Sequence, residues 1–399
     1  MQTMEMYTGY FNLLKTIMGA GIVSYPLFFV EFGIVTATVL SVAACALTFS
    51  SIVMLCKCAE YTESNGKTFT DVLGKIYPGL GSMFNWVVFT KCFGVSISYL
   101  VLLQPLLLYI LNMANIQSLS SISTMQITFL YTLIMFPVCA MKDLKSLKYT
   151  SVIGVLGVCI CVVASAYNYM RVHGLGGSAS DTAMFRPPMY SWIGFAGQFV
   201  FSFTCHQNIF GIRASLSNPT IRKMKIISFF GLGTALVLYV VFGILVYMTY
   251  GNKIEDNVFS SFIDGSVKNI VFVFYTVFIS CSLPLQIHPA RDCLTEWILC
   301  FKWVGKQEKN KTMVRVFSTG AILFACAMLA LIPMGLSTIQ TAVGGSASAI
   351  MCNFLPAICF LKIPIRKTVI ERMAAVALIA YGALAFTGVF IKLQNTAQK

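Results

Sequence analysis

Long apolar runs without charged residues constrain this sequence more than any other feature. Residues 34–55, 152–169, 232–250 and 316–332 are four examples. A helix of about 18 or more apolar residues is long enough to cross the hydrocarbon core of a bilayer, which is about 30 Å thick. Only 11% of the residues are charged, against roughly 25% in soluble proteins. The sequence therefore predicts an all-α, polytopic membrane protein.

About eleven transmembrane helices fit this pattern, and the connections between them are short. The predicted spans are residues 9–31, 35–57, 83–111, 126–141, 151–170, 190–212, 226–250, 267–290, 314–333, 336–361 and 373–391. We expect a single transmembrane domain over residues 1–399. It contains a first set of five spans at about 9–170, a second set at about 190–361, and an extra helix at about 373–391.

Lysine and arginine are distributed unequally over the two sides of these spans. If the N-terminus is cytosolic, the cytosolic connections hold twenty of the 28 Lys and Arg residues, the opposite side holds six, and Lys15 and Lys91 lie within spans. Cytosolic connections of membrane proteins carry an excess of Lys and Arg. This bias predicts a cytosolic N-terminus and an extracytosolic C-terminus.

The composition argues against several other classes of binding partner. A net charge of +14 in a soluble protein would suggest nucleic acid, but here the charges lie in short connections and form no basic domain. The fourteen cysteines are scattered and lack the paired C-x-x-C spacing that is typical of zinc sites. We therefore expect the lipid bilayer as surroundings, no nucleic acid, no metal and no cofactor.

Two spans carry interruptions near their middle. Span one contains Gly19, Ala20 and Gly21, and span six contains a polar stretch over residues 202–208. In lipid, irregular backbone is tolerated only where protein or a water-filled cavity covers it. Spans one and six are the first members of the two sets of five. Matched interruptions of this kind indicate a transporter site near the midplane of the membrane.

Broken helices offer both kinds of group that a zwitterionic amino acid needs. The free N–H groups at the start of a half-helix can bind a carboxylate, and unwound carbonyls can accept hydrogen bonds from an ammonium group. We expect the carboxylate at residues 19–22 and the ammonium at residues 202–205. Alternatively, the glycines only allow close helix packing, and the polar stretch is a structural patch.

Four motifs resemble those of the amino acid/auxin permease family, which includes sodium-coupled neutral amino acid transporters and fungal vacuolar amino acid transporters. They are FNL at 11–13 with IMGAGI at 17–22, FGV at 93–95 with SYL at 98–100, FTCHQNIF at 203–210, and LPLQIHPAR at 283–291. The resemblance implies a 5+5 inverted repeat with broken helices 1 and 6. It also implies a secondary transporter of amino acids that works by alternating access as a monomer, in a vacuolar, lysosomal or plasma membrane.

Lys15 is the main departure from the sodium-coupled branch, whose first-helix motif has an asparagine near the sodium site. A fixed ammonium group repels a cation, and a lysine removed from water can exchange protons at physiological pH. The resemblance therefore favours coupling to protons, with sodium coupling as the alternative. Lys15 could instead reach the cytosolic interface and act as an anchor.

The remaining candidates follow from the interruptions and the motifs. The predicted substrate-binding residues are Gly19, Ala20, Gly21, Ile22, Tyr99, Ser202, Phe203, Thr204, Cys205 and His206, and the predicted ion-coupling residues are Lys15, Ser280 and Ser282. His206 could be purely structural, and either serine could bond the backbone of its own helix. A structural role is favoured for Lys91. His288 is expected in a gate or helix-end network with Arg291 and Asp292.

Acidic residues are informative because so few lie within the predicted spans. Glu31 is the only one, at the edge of span one. A site for lysine-like or arginine-like substrates would need a buried carboxylate, so this pattern favours neutral amino acids. An enzyme is disfavoured because G-x-S-x-G is absent and only three histidines are present. A sensor with the same fold would bind without transport, and a channel would show flux that does not saturate.

Overall fold

The computed structural model describes residues 6–113, 122–141, 148–174, 177, 181–187, 189–262, 265–299 and 308–397. For residues 148–153, 308–310 and 397 it describes the backbone alone. In this part of the chain the regular elements are helical, and no β-strand is present. The prediction of an all-α membrane protein is therefore confirmed.

Fifteen α-helices follow one another in the described residues. They are α1 (Met6–Ile17), α2 (Tyr25–Phe32), α3 (Ile34–Tyr61), α4 (Phe69–Leu73), α5 (Gly81–Met113), α6 (Thr124–Ala140), α7 (Lys148–His173), α8 (Ala196–Ser202), α9 (Ile209–Ser215), α10 (Ile221–Tyr250), α11 (Ser266–Leu299), α12 (Glu308–Ala330), α13 (Leu336–Val343), α14 (Leu355–Lys362) and α15 (Val369–Ala397). Two π-helical segments, Gly344–Ser348 and Ile350–Phe354, join α13 to α14.

Eight helices in the described residues are long and apolar enough to cross a membrane, and one of them runs from α13 through α14 as Leu336–Lys362. The helices Met6–Ile17 and Ala20–Phe32 are bent by 45° relative to each other, and if this pair is counted as one span, the described residues contain nine spans. Helix α6 is shorter, with 17 residues, and span six consists of the seven-residue helices α8 and α9 with an interruption between them. The exact total of eleven spans stays a prediction.

Prolines lie inside some of these helices without ending them. Span eight was expected to end at residue 290, but α11 continues through Pro284 and Pro289 to Leu299. Helix α6 contains Pro137 and ends at Ala140, close to the predicted end of span four at residue 141. Proline is tolerated inside membrane helices because neighbouring helices and side chains satisfy the backbone groups that it frees. Residues 333–335, at the junction of the predicted spans nine (314–333) and ten (336–361), lie outside the helices.

The broken segments lie inside the bundle rather than at its surface. Helix α1 packs on α10 and α7, α5 packs on α11, and α8 packs on α13 and the first π-helical segment. Every residue from Leu13 to Tyr25 is buried. Large apolar side chains such as Leu133, Val163 and Phe317 are each 69% exposed, which is appropriate for a surface that faces lipid.

Glycines allow α8 to approach the start of the first π-helical segment very closely. A Cβ atom built on Gly344 would lie 1.8 Å from the carbonyl oxygen of Gly197, and one built on Gly197 would lie 2.5 Å from the carbonyl oxygen of Thr341. Both obstacles are backbone atoms, so neither can rotate away. Small residues at these positions therefore fix the distance between the two elements.

We expect Gly344→Ala to destabilise the protein, by about 1 to 3 kcal/mol, because the added methyl group forces α8 away from this segment. The matched control is Gly233→Ala in α10, where an added Cβ would have no atom within 4 Å. Thermal unfolding of purified protein in detergent checks both variants. Equal melting temperatures for the two would contradict the close packing described here.

Candidate functional site

Span one is interrupted by a short irregular segment. Helix α1 ends at Ile17, a 3-10 turn covers Ala20–Ser24, and α2 begins at Tyr25. Met18 and Gly19 lie between the end of α1 and the 3-10 turn and belong to neither. The prediction of a break at this point is confirmed. Because the segment is buried, the carbonyl groups that leave the helical pattern need other partners.

Side chains from four other helices bond the carbonyls of this segment. Tyr239 of α10 donates to Ile17 (2.7 Å), Gln340 of α13 to Ala20 (3.0 Å), Tyr275 of α11 to Gly19 (3.4 Å), and Ser202 of α8 to Gly21 (3.4 Å). Gln340 also accepts a hydrogen bond from the Ser24 hydroxyl. The break in span one is therefore held from several sides.

Span six is interrupted beside this segment. Helix α8 ends at Ser202, a 3-10 turn covers His206–Asn208, and α9 begins at Ile209. A Cβ atom built on Gly21 would lie 2.8 Å from the Ser202 Cα atom, so the two breaks touch. The Tyr239 hydroxyl, bonded to the Ile17 carbonyl, is also 3.3 Å from the Ser202 carbonyl oxygen. Both predicted interruptions are present and in contact.

A small cavity lies where the two breaks meet. Its volume is about 10 Å³, which is room for about one water molecule. Its walls are formed by Thr16, Ile17, Gly19, Ala20, Gly21, Lys91, Val95, Tyr99, Phe201, Thr204 and Gln286. An amino acid needs far more space, so side chains must move before a substrate can enter. Tyr99 is the first to consider, because its hydroxyl would lie 2.2 Å from a Cβ atom on Gly19.

Lys91 and Gln286 line this cavity from α5 and α11. The Lys91 ammonium group is buried and donates a hydrogen bond to the Gln286 Oε1 atom, at 3.0 Å. The sequence analysis favoured a structural role for Lys91 and did not propose Gln286. The available signal was helical spacing: Lys91, Val95 and Tyr99 are four residues apart, which places them on one face of a helix.

Five of the predicted substrate-binding residues line the cavity, and five do not. Those in its walls are Gly19, Ala20, Gly21, Tyr99 and Thr204. Ile22, Ser202, Phe203, Cys205 and His206 are buried beside it. Of these, Ser202 contacts the lining residue Gly21 directly. The Phe203 ring instead lies near the ring of Tyr239, with centroids 5.9 Å apart.

His206 is bonded away from the cavity. Its Nε2 atom is 2.9 Å from the Ser51 hydroxyl of α3, which agrees with the structural alternative. Its Nδ1 atom and both side-chain amide atoms of Gln207 are buried, and none has a hydrogen-bond partner among the described residues. Buried polar atoms without partners cost free energy. The segment that follows the break therefore contains buried side-chain atoms whose hydrogen-bonding capacity is unused in this conformation.

Lys15 lies inside the bundle and outside the cavity. Only 1% of its surface is exposed, so it does not reach the interface in the way an anchoring residue would. Its side chain passes Gly154 of α7, and the neighbouring part of α11 contains Cys281. Of the two serines that were predicted with Lys15 as ion-coupling residues, Ser280 accepts from the Tyr131 hydroxyl (2.9 Å), and Ser282 donates to the carbonyl of Phe278 in its own helix (2.8 Å).

Arg291 forms a network at the end of α6. Its Nη1 atom donates to the carbonyl oxygens of Met141 (2.9 Å) and Cys139 (3.3 Å), and its Nε atom donates to Asp292 (2.9 Å). The His288 ring is 3.2 Å from Nη2. This arrangement has the form of the helix-end network that the sequence suggested.

Among the described residues, no three His, Cys, Asp or Glu side chains converge as a metal site would require.

Comparison with known proteins identifies the family. The sequence model of the family described as "Transmembrane amino acid transporter protein" matches residues 2–394. The chain belongs to this family. It is therefore a multi-pass membrane protein of an amino acid transporter family and not an enzyme.

Individual relatives are similar but distant. Vacuolar amino acid transporter 6 of Saccharomyces cerevisiae is 26% identical over 71% of this chain and 64% of its own length, so the chain spans less than two thirds of that relative. Sodium-coupled neutral amino acid transporter 7 of Danio rerio is 23% identical over 97% of this chain and 85% of its own length. The crystal structure of MhsT in complex with L-phenylalanine superimposes with a TM-score of 0.63 at 11% identity, covering 96% of this chain and 98% of that one. This last likeness shows that the fold is that of the LeuT-type transporters.

The close contact between the breaks leads to a mutational test of the site. We expect Gly21→Val to abolish transport while the protein still inserts, because its side chain would collide with the backbone of Ser202. The control is Gly211→Val in α9, where an added Cβ atom has no neighbour within 4 Å. Uptake into vesicles and the amount of inserted protein are measured together. Normal uptake by Gly21→Val would show that the site lies elsewhere.

Proposed function

We propose that this protein is a secondary active transporter that moves neutral amino acids by alternating access, coupled to protons. The observation that carries the proposal is the buried cavity bounded by the broken segments of spans one and six. Interrupted helices in a LeuT-type fold supply backbone groups for substrate at the membrane midplane. Family membership supports amino acids as the substrate class.

The proposed substrate pose uses both breaks. The substrate carboxylate faces the N–H groups of residues 19–22, where the second half-helix of span one begins. The first N–H groups of a helix have no partner within the helix and lie at the positive end of its dipole. The substrate ammonium faces the carbonyls of residues 202–205. The related fold of MhsT, crystallised with L-phenylalanine, is consistent with a zwitterionic ligand of this size.

A preference for neutral substrates is supported by the charges around the cavity. Among the described residues that line it, Lys91 is charged and none is a carboxylate. One relative is named a sodium-coupled neutral amino acid transporter. A side chain with a second ammonium group would have no counter-charge in this site.

Proton coupling is proposed from Lys15. The side chain is buried, its Cγ atom lies 3.7 Å from a Cβ atom built on Gly154 of α7, and its charge interacts with Cys281, which stands between the two serines of α11 that were expected to hold a coupling ion. A lysine at this place removes the need for a bound metal cation and can carry a proton. Sodium coupling is the second candidate, favoured by the names of the sodium-coupled relatives.

Alternating access is supported by the small size of the cavity and by buried polar atoms that lack hydrogen-bond partners beside it. The cavity is too small for an amino acid in this conformation, and His206 Nδ1 and the Gln207 amide are buried without partners in the described part of the chain. In a second conformation these atoms would gain water or protein partners. We propose that α1, α2, α8 and α9 tilt at the two breaks while α5 and α11 line the substrate path, in a single protomer.

Uptake into liposomes tests the transport proposal. Purified protein is offered labelled glutamine, leucine, tyrosine and lysine under an imposed proton gradient, and separately under a sodium gradient. We expect saturable uptake of the neutral amino acids under the proton gradient alone. Sodium-driven uptake would keep the substrate class and overturn the role of Lys15. Binding without uptake would indicate a sensor, and flux without saturation a channel.

A variant at Lys15 separates coupling from binding. We expect Lys15→Met to lose proton-driven accumulation, because the exchangeable ammonium is gone, while exchange of labelled for unlabelled glutamine across the membrane continues. Lys57→Met is the matched control, since Lys57 pairs with Glu371 away from the cavity. Proton-driven accumulation at the wild-type level in Lys15→Met would contradict the proposed coupling.

The proposed orientation has the N-terminus in the cytosol and the C-terminus on the opposite side, in a vacuolar, lysosomal or plasma membrane. The support is the distribution of Lys and Arg over the connections. Epitope tags at the two ends, probed with antibody before and after permeabilising sealed vesicles, should show opposite accessibility. Equal accessibility of both tags would contradict an odd number of spans.

A further inference from the structure

Lys91 is the one charged side chain among the described residues that form the cavity wall. It is 1% exposed, and it donates a hydrogen bond to the neutral amide of Gln286. A buried ammonium group is costly unless a counter-charge or good hydrogen bonds stabilise it. A residue of this kind at a substrate site is therefore a functional candidate.

No carboxylate of the protein compensates the Lys91 charge in the described part of the chain. Lys57 pairs with Glu371 and Arg291 with Asp292, and neither pair includes Lys91. Asp and Glu are also absent from the described residues that line the cavity. Among the described residues, no carboxylate therefore screens the Lys91 ammonium group, and its counter-charge would have to come from whatever occupies the site.

We propose that Lys91, held in place by Gln286, selects substrates by charge and excludes cationic amino acids from the cavity. This inference rests on the proposed function, because it assigns a specificity residue to the proposed amino acid site. Gln286 is a positioning residue, since it acts by fixing the ammonium group of Lys91 at the wall.

The geometry explains why one ammonium group can discriminate. Lys91 and Tyr99 lie on the same face of α5 and border the same small cavity as Gly19 and Gly21. A substrate placed against the unwound segment is therefore close to Lys91. The charge of Lys91 and the charges of a substrate in this cavity would interact more strongly than in water, because the effective dielectric constant of a protein interior, roughly 20, is far below that of water.

The net charge of the substrate decides the outcome. In a neutral amino acid, attraction of the carboxylate to Lys91 offsets repulsion of the α-ammonium group. A lysine-like substrate brings a second ammonium group, whose repulsion has nothing to offset it. Sites without a compensating group reject such a ligand by repulsion as well as by lost contacts.

The test compares norleucine with lysine, whose side chains have the same four-carbon chain and differ by the terminal ammonium group. Wild-type protein in liposomes should take up norleucine and discriminate against lysine. Lys91→Gln removes the charge, and Gln286→Glu neutralises it in place. Both variants should raise the ratio of lysine to norleucine uptake by about tenfold or more. Lys91→Arg keeps the charge and should keep the wild-type ratio.

Lys268→Gln is the matched control, because Lys268 is also buried but lies over the rings of Tyr109 and Phe272 instead of at the cavity. Its uptake ratio should equal that of the wild type. Each variant is first checked for insertion and thermal stability, so that loss of folding is not scored as a change in selectivity.

Two results would overturn the inference. Wild-type uptake of lysine as efficient as that of norleucine would show that Lys91 does not exclude cations, and this can be read without any variant. An unchanged ratio in inserted Lys91→Gln or Gln286→Glu would show the same. Failure of the wild type to transport any neutral amino acid would instead count against the proposed function.

Discussion

The requirement that every buried backbone group find a partner governs this structure. A membrane helix satisfies its own carbonyls, and a break in it does not. Here Tyr239, Tyr275, Gln340 and Ser202 donate to the four carbonyls released around the break in span one. Those donors come from four other helices. The packing of these four helices around the centre of the bundle therefore depends on their hydrogen bonds to the interrupted segment of span one.

The predictions that succeeded rest on local physics. Uncharged runs of sufficient length predict membrane helices, and glycines or clustered polar residues in mid-span predict breaks. Both rules concern a few consecutive residues. The bounds were less well predicted, since span eight was expected to end at residue 290 and α11 continues to Leu299. The end of such a helix depends on the groups that neighbouring helices offer to its backbone, and no local sequence pattern reports them.

The side chains at the site were harder to predict than its backbone. Gly19, Gly21 and Thr204 lie where the interruptions placed them. His206 lies within the same polar stretch but turns toward Ser51 on α3. Lys91 and Gln286 are separated by 195 positions in the chain and meet across the cavity. The direction in which a side chain points, and the residue that it bonds on another helix, depend on how the helices pack together. A single sequence shows only the spacing of residues along each helix.

Span ten connects mechanically to both broken spans. Gln340 of α13 bonds the Ala20 carbonyl and the Ser24 hydroxyl of span one, and Gly344, one residue beyond α13, lies against the backbone of Gly197 in α8. Span ten therefore contacts both interrupted spans directly, and under the proposed alternating access a tilt of one span would be passed to the other through these contacts. Gln340 and Gly344 are not among the residues that line the cavity, so substitutions there would alter the coupling between the spans without changing the cavity walls.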